Sequence, residues 1–243
     1  VDLYRRDTTF STTALRGALH YLFSLDQFAE VIVENWNSNG LNSLSGSIED
    51  VKLTRYGLGW TSKIWDNFID PRKGCQAHIE ASAANKQQAD NEAGTLRSAQ
   101  YAGLFNLYQL NPLGKSWSIG LRLQGATKLD SLLFLNELYR IGGFKSLRGF
   151  NEESLFASTF LIGGLEARYH LGSGVSIMGF VDQAWYEQKL EGYYRDTPLG
   201  VGIGLNLNTK NGAFSLLYGL GKTSTSTFLI REGKVHFGFI NLF

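Results

Sequence analysis

Alternation of apolar and polar residues constrains this chain most, because a period of two places successive side chains on opposite faces of an extended strand. In 200–208, Val201, Ile203, Leu205 and Leu207 share one face, while Gly202, Gly204, Asn206 and Asn208 share the other. In 118–124, Ile119, Leu121 and Leu123 oppose Gly120, Arg122 and Gln124, and Phe214, Leu216, Tyr218 and Leu220 repeat the pattern. The pattern predicts strands near 14–23, 28–36, 51–63, 75–86, 96–109, 116–127, 160–171, 174–188, 199–209, 212–221 and 233–243, with residues 1–9 supplying the end of another. Several are longer than the usual globular strand of about 5–6 residues and close to the roughly 9–11 that cross a bilayer at a tilt.

The connectors support a membrane barrel. Gly172-Ser173-Gly174 and Lys210-Asn211-Gly212 are short turns, whereas Asp66–Gly74, Gln87–Thr95 and Thr127–Ser158 are longer and polar. Short turns at one end and long loops at the other are the layout of outer-membrane barrels. A soluble sandwich would alternate as well, but its polar face would be rich in Lys and Glu, and here that face is largely Gly, Asn, Gln and Ser. Trp60, Trp65, Tyr101, Tyr108, Trp117, Tyr169, Trp185 and Tyr186 gather at strand ends, as interfacial girdles require.

Composition narrows the alternatives. Charged residues are 19% against 43% hydrophobic, yet no apolar run reaches the roughly 18 residues of a spanning helix. Aromatics at 13%, with 28 glycines and 3 prolines, suit strands and tight turns. A net charge of +1 gives no field for nucleic acid. The single cysteine, Cys75, excludes an internal disulfide and reads as a small strand residue. The chain opens at Val1 without a Met or a signal-peptide core, so either a leader has been removed or Val1 is an internal start.

No enzymatic motif survives inspection. Gly221-Lys222-Thr223 ends like a phosphate loop, but its first glycine would fall at Leu216. Gly200, Gly202 and Gly204 alternate within a strand, so they form a lumen-facing or close-packing stripe and not a dinucleotide turn. There is no G-x-S-x-G elbow, and His20, His78, His170 and His236 stand singly at no metal-ligand spacing. The sequence therefore assigns no catalytic residue, metal or cofactor; a triad assembled across strands is the enzymatic alternative.

The closing segment 235–243 places Val235, Phe237, Phe239 and Phe243 on one face. It resembles the C-terminal signal by which outer-membrane proteins are recognised, with His236, Gly238, Phe239 and Phe243 in its pattern and Asn241 where a hydrophobic residue is expected.

The stretch 139–150 carries Gly142, Gly143, Leu147, Arg148, Gly149 and Phe150, and resembles the G-G-x-x-x-[VL]-R-G-[FY] loop of the superfamily that contains BamA, TamA and the two-partner secretion transporters. Gly163-x-x-Glu166 follows in the next strand and Phe180-x-Asp182 in the one after, where that family has its partners; Ala184 stands where the family often has glycine. By parity Glu166 goes with Gly164 and Arg168, opposite Leu161, Leu165 and Tyr169, and Asp182 opposes Val175, Ile177 and Val181, so both carboxylates should face the lumen. A loop folded inward could set the fork of Arg148 against both.

The resemblance covers about 70–243, from Pro71-Arg72-Lys73-Gly74 onward. It implies an all-β, antiparallel transmembrane barrel: a motif loop over about 128–159, closing strands over 160–243, and a whole domain spanning 1–243. Family barrels have sixteen strands preceded by periplasmic POTRA domains. This chain is therefore expected to be the C-terminal part of such a barrel, or a reduced barrel of about twelve strands.

The implied role is insertion or translocation of outer-membrane or secreted polypeptides at the bacterial outer membrane, without a covalent step. Lipids including lipopolysaccharide would surround the barrel, and periplasmic or lipoprotein accessory subunits would serve it. The last strand would form one side of a gate, braced by the Arg148 loop. A passive pore, or a structural or anchoring barrel of a larger complex, is the alternative.

Overall fold

The computed structural model describes residues 2–6, 10–40, 48–67, 70–90, 94–172, 174–190, 192–209 and 212–241. Alternation acts here as expected, since every predicted segment is a strand. In order they are β1 (Asp2–Arg6), β2 (Phe10–Ser24), β3 (Gln27–Gly40), β4 (Val51–Trp65), β5 (Gly74–Asp90), β6 (Gly94–Leu113) and β7 (Trp117–Leu129). The long loop that follows holds a 3-10 turn (Leu135–Glu137) and the hairpin strands β8 (Tyr139–Ile141) and β9 (Leu155–Ala157). The chain then continues through β10 (Thr159–Gly172), β11 (Val175–Lys189), β12 (Tyr193–Asp196), β13 (Leu199–Thr209), β14 (Gly212–Lys222) and β15 (Lys234–Asn241).

The main strands pair antiparallel with their sequence neighbours in one path, β1-β2-β3-β4-β5-β6-β7-β10-β11-β13-β14-β15, with β12 added to β11. Among the described residues no pairing joins β1 to β15, so each leaves an edge. The two faces differ as a barrel wall requires. Outward positions are apolar and open, such as Leu121, Leu165, Ile203 and Phe237, while Glu80, Ser118, Glu166 and Asp182 on the inner face are buried. No helix of the described residues is long and apolar enough to cross a membrane.

Two expectations need correction. The segment 87–95 is mostly strand, because β5 and β6 continue pairing out to Asp90 and Gly94. The longer connector 66–73 lies at the same end as the short turns, after β4 and before β5. There the Asp66 carboxylate accepts the N–H groups of Arg72 (3.0 Å) and Lys73 (3.1 Å) and closes the turn. Burial acts to raise the Asp66 carboxyl, but these backbone donors outweigh it and hold it below the usual carboxylate range.

The aromatic girdle also divides. Trp117 and Tyr169 pair on the outer face, rings 5.0 Å apart, and Tyr101 and Trp185 are exposed near the loop end. Tyr108 and Tyr186 instead face inward, Tyr108 donating its hydroxyl to Glu166 and Tyr186 packing in the cluster around Leu147.

Register places the site. Tyr108, Arg122, Gly164, Asp182, Gly200 and Gly221 form one inward row across six strands. Leu110, Gly120, Glu166, Phe180, Gly202 and Gly219 form the next. Each row runs from large side chains on one wall to glycines on the other, leaving a trough along β13 and β14.

Candidate functional site

The loop between β7 and β10 fills that trough. Gly142, Gly143 and Gly149 have φ of 111°, 97° and 92°, a region open to glycine at little cost. The turn closes through Gly143 N–H to the Leu147 carbonyl (2.9 Å). Leu147 is fully buried with Ile141, Ala157, Ile162, Ala184 and Tyr186, and the ring of Phe150 packs at the edge of this cluster. Ala184 therefore fills a contact with the loop. The backbone of Gly149 lies against β14 so closely that a Cβ at Gly219 would stand 2.9 Å from its Cα, and one at Gly221 2.6 Å from its carbonyl oxygen. The glycine stripe of β13 faces the lumen and packs closely, as alternation predicted. At Gly200, Gly219 and Gly221 the missing side chain makes room for the loop backbone.

Arg148 is 2% exposed and spans two strands. Its Nε and Nη2 reach both oxygens of Asp182 on β11, each at 2.6 Å, and Nη1 reaches Glu166 Oε1 on β10 at 2.6 Å. The Arg148 backbone N–H also donates to Asp182 Oδ2 (3.2 Å). Its guanidinium lies 4.0 Å above the ring centre of Phe180. A planar fork can meet two carboxylates and a ring face at once; an ammonium cannot.

Several partners of this site had no sequence signal beyond inward parity. Glu166 Oε2 accepts the Tyr108 hydroxyl (3.0 Å) and Arg168 Nη2 (2.8 Å). Arg122 Nη2 donates to the Ser146 carbonyl (2.6 Å) and Gln124 Nε2 to that of Lys145 (3.1 Å), holding the loop tip against β7.

A second anchor, which the sequence did not mark, fixes the start of the loop to the opposite wall. Glu137, 1% exposed, accepts Lys86 Nζ of β5 (2.7 Å), Gln100 Nε2 of β6 (2.9 Å) and the Phe134 N–H (3.0 Å). Asn136 Nδ2 donates to Ser38 Oγ of β3 (2.8 Å), and Lys128 Nζ donates to the Glu137 carbonyl. Phe134 joins Val51, Leu53 and Ala84 in a small core. The loop is thus a strap tied to β3–β6 at one end and to β10–β14 at the other. Beneath it lies a cavity of about 730 Å³, bordered by Lys63, Asn106, Arg122, Lys145 and Arg168.

The closing strand meets the loop too. His236 is 5% exposed and Gly238 lies against Phe144, while Phe239 points outward and packs at a tilt against Phe214, ring centres 4.4 Å apart. Phe243 lies outside the described residues.

Comparison with known proteins bears on the family and the fold. The family model described as the Omp85 superfamily domain matches residues 11–239. CdiB from Acinetobacter baumannii has a similar fold, with TM-score 0.57 at 13% identity over 95% of this chain and 41% of that one. BamA from Haemophilus ducreyi, in a form lacking POTRA domains 1–3, aligns at TM-score 0.49 and 15% identity, over 96% of this chain and 62% of that one. The chain thus spans less than two thirds of either. Among curated protein sequences none matches it.

Proposed function

The chain belongs to the Omp85 superfamily, outer-membrane β-barrel proteins that insert or translocate polypeptides, and from that premise we propose that it forms the closing wall of a barrel that inserts client polypeptides. Among the described residues β15 pairs as a strand only with β14, and a strand edge whose N–H and C=O groups come free templates an incoming strand. A wall that parts at its edge needs an internal brace, and Arg148 with Glu166 and Asp182 supplies it. The seating of one buried guanidinium on two neighbouring strands is the observation that supports this role most. No bond is made or broken, and no residue acts as an enzyme's nucleophile or base. Lipids, lipopolysaccharide among them, would face the outer apolar surface, and accessory periplasmic or lipoprotein subunits would deliver clients.

The test is complementation in cells depleted of the native protein. Whole protein carrying Arg148→Ala or Asp182→Ala should reach the membrane and fail to support client insertion; normal insertion by both variants sinks the proposal.

The cavity beneath the strap, with Lys63, Arg122, Lys145 and Arg168 at its border, supports a second role, a passive pore or structural barrel. Large, steady single-channel conductance without a client phenotype would favour it.

A further inference from the structure

The inner face of β15 is not free. His236 Nε2 accepts the backbone N–H of Gly149, the residue after Arg148, at 3.2 Å. An imidazole nitrogen that accepts carries no proton, so the ring hydrogen sits on Nδ1, which faces Glu152 Oε1 at 3.6 Å. Glu152 is itself held by the Phe144 N–H (2.6 Å). Two residues along the strand, Gly238 is overlain by the Phe144 ring, and a Cβ there would stand 2.8 Å from a ring carbon. Phe144 packs in turn on Met178, Phe180 and Leu217.

We propose that His236 and Gly238 form a socket for the motif loop, so that the loop latches the closing strand from inside the lumen. Sequence pattern assigned both residues to a C-terminal recognition signal. Their inward positions carry this second task, while Val235, Phe237 and Phe239 present the outer face. Among the described residues β15 is hydrogen-bonded as a strand only to β14, so the loop supplies its second support. Displacing β15 breaks the Gly149 bond and uncovers Phe144; lifting the loop removes the inner support of β15. Such coupling is reciprocal. The latch itself is independent of what the barrel does, but its use as a gate sensor rests on the insertion role proposed above.

Hydrogen exchange on the folded protein in detergent micelles reads the latch directly. His236→Phe keeps ring bulk and removes the acceptor, whereas His236→Gln places an amide oxygen near the Nε2 position. Exchange in 142–152 should quicken about fivefold in His236→Phe, the equivalent of one net hydrogen bond, and stay near wild type in His236→Gln. Phe144→Ala, which leaves β15 unchanged in sequence, should quicken exchange in 234–241. Unchanged exchange in His236→Phe and Phe144→Ala overturns the latch, whatever client insertion shows. Quickened exchange with rescue by glutamine upholds it even if client insertion proves normal, an outcome that removes only the insertion role.

Discussion

Asp182 and Glu166 both hold Arg148, but they are not equivalent. Asp182 takes two side-chain bonds and one backbone bond from Arg148 alone, whereas Glu166 shares its second oxygen with Tyr108 and Arg168. Asp182→Asn should therefore lower the unfolding midpoint of the refolded barrel more than Glu166→Gln does, and Arg148→Lys should resemble Asp182→Asn because an ammonium cannot fork. Removing Arg148 altogether leaves a buried carboxylate without its partner, at a cost of about 3–5 kcal/mol. Equal midpoints for the Asp182 and Glu166 variants would contradict the asymmetry. Much of this residue-level site was legible beforehand, since parity alone turned Glu166 and Asp182 inward. Tyr108 sits at a strand end, as a girdle aromatic would, but its register shares the inner face with Arg122 and turns it into the lumen.

At the scale of elements, the strap 130–158 has two separable anchors. Glu137→Ala would take the nearer carboxylate from Lys86, 2% exposed, leaving it Asp130 (3.3 Å) and the Leu132 carbonyl (2.6 Å). Hydrogen exchange should then quicken in 130–138 while 142–152, held by Arg148, stays protected; simultaneous loss of both would show a single cooperative unit. No local pattern marks this anchor, although Lys86 and Gln100 both lie in segments that alternation predicts as strands. Lys86 stands opposite Ser98 and Gln100 opposite Ala84, both buried on the inner face, and only the folded loop brings Glu137 between them.

The turn 66–73 has a pH dependence of known sign. A carboxylate whose folded pKa is depressed contributes stability above its unfolded value, near about 4, and loses it as pH falls through the folded one. The Arg72 and Lys73 amides should therefore lose exchange protection only in that acid window, after allowance for the intrinsic rate, and Asp66→Ala should abolish the protection at neutral pH.

Across the whole molecule, alternation, turn placement and the closing pattern at 235–239 all point to one architecture, which is why the strand order was legible from sequence. What no local pattern encoded was how the interior is filled. The glycines of β13 and β14 advertise an absence of side chains, and only the folded loop shows that the Arg148 carbonyl meets Gly200 and the Gly149 backbone meets Gly219 and Gly221. In the proposed role the strap, seated by Arg148 on β10 and β11, keeps the wall in shape while its β15 edge works on a client. The most direct measurement is the rate at which whole protein in lipid vesicles inserts an unfolded outer-membrane client, with wild type compared to Arg148→Ala and Asp182→Ala after each is shown to be folded. A fall of at least about tenfold in both, equal to roughly 1.4 kcal/mol or more, is predicted. Wild-type rates from both folded variants would contradict it.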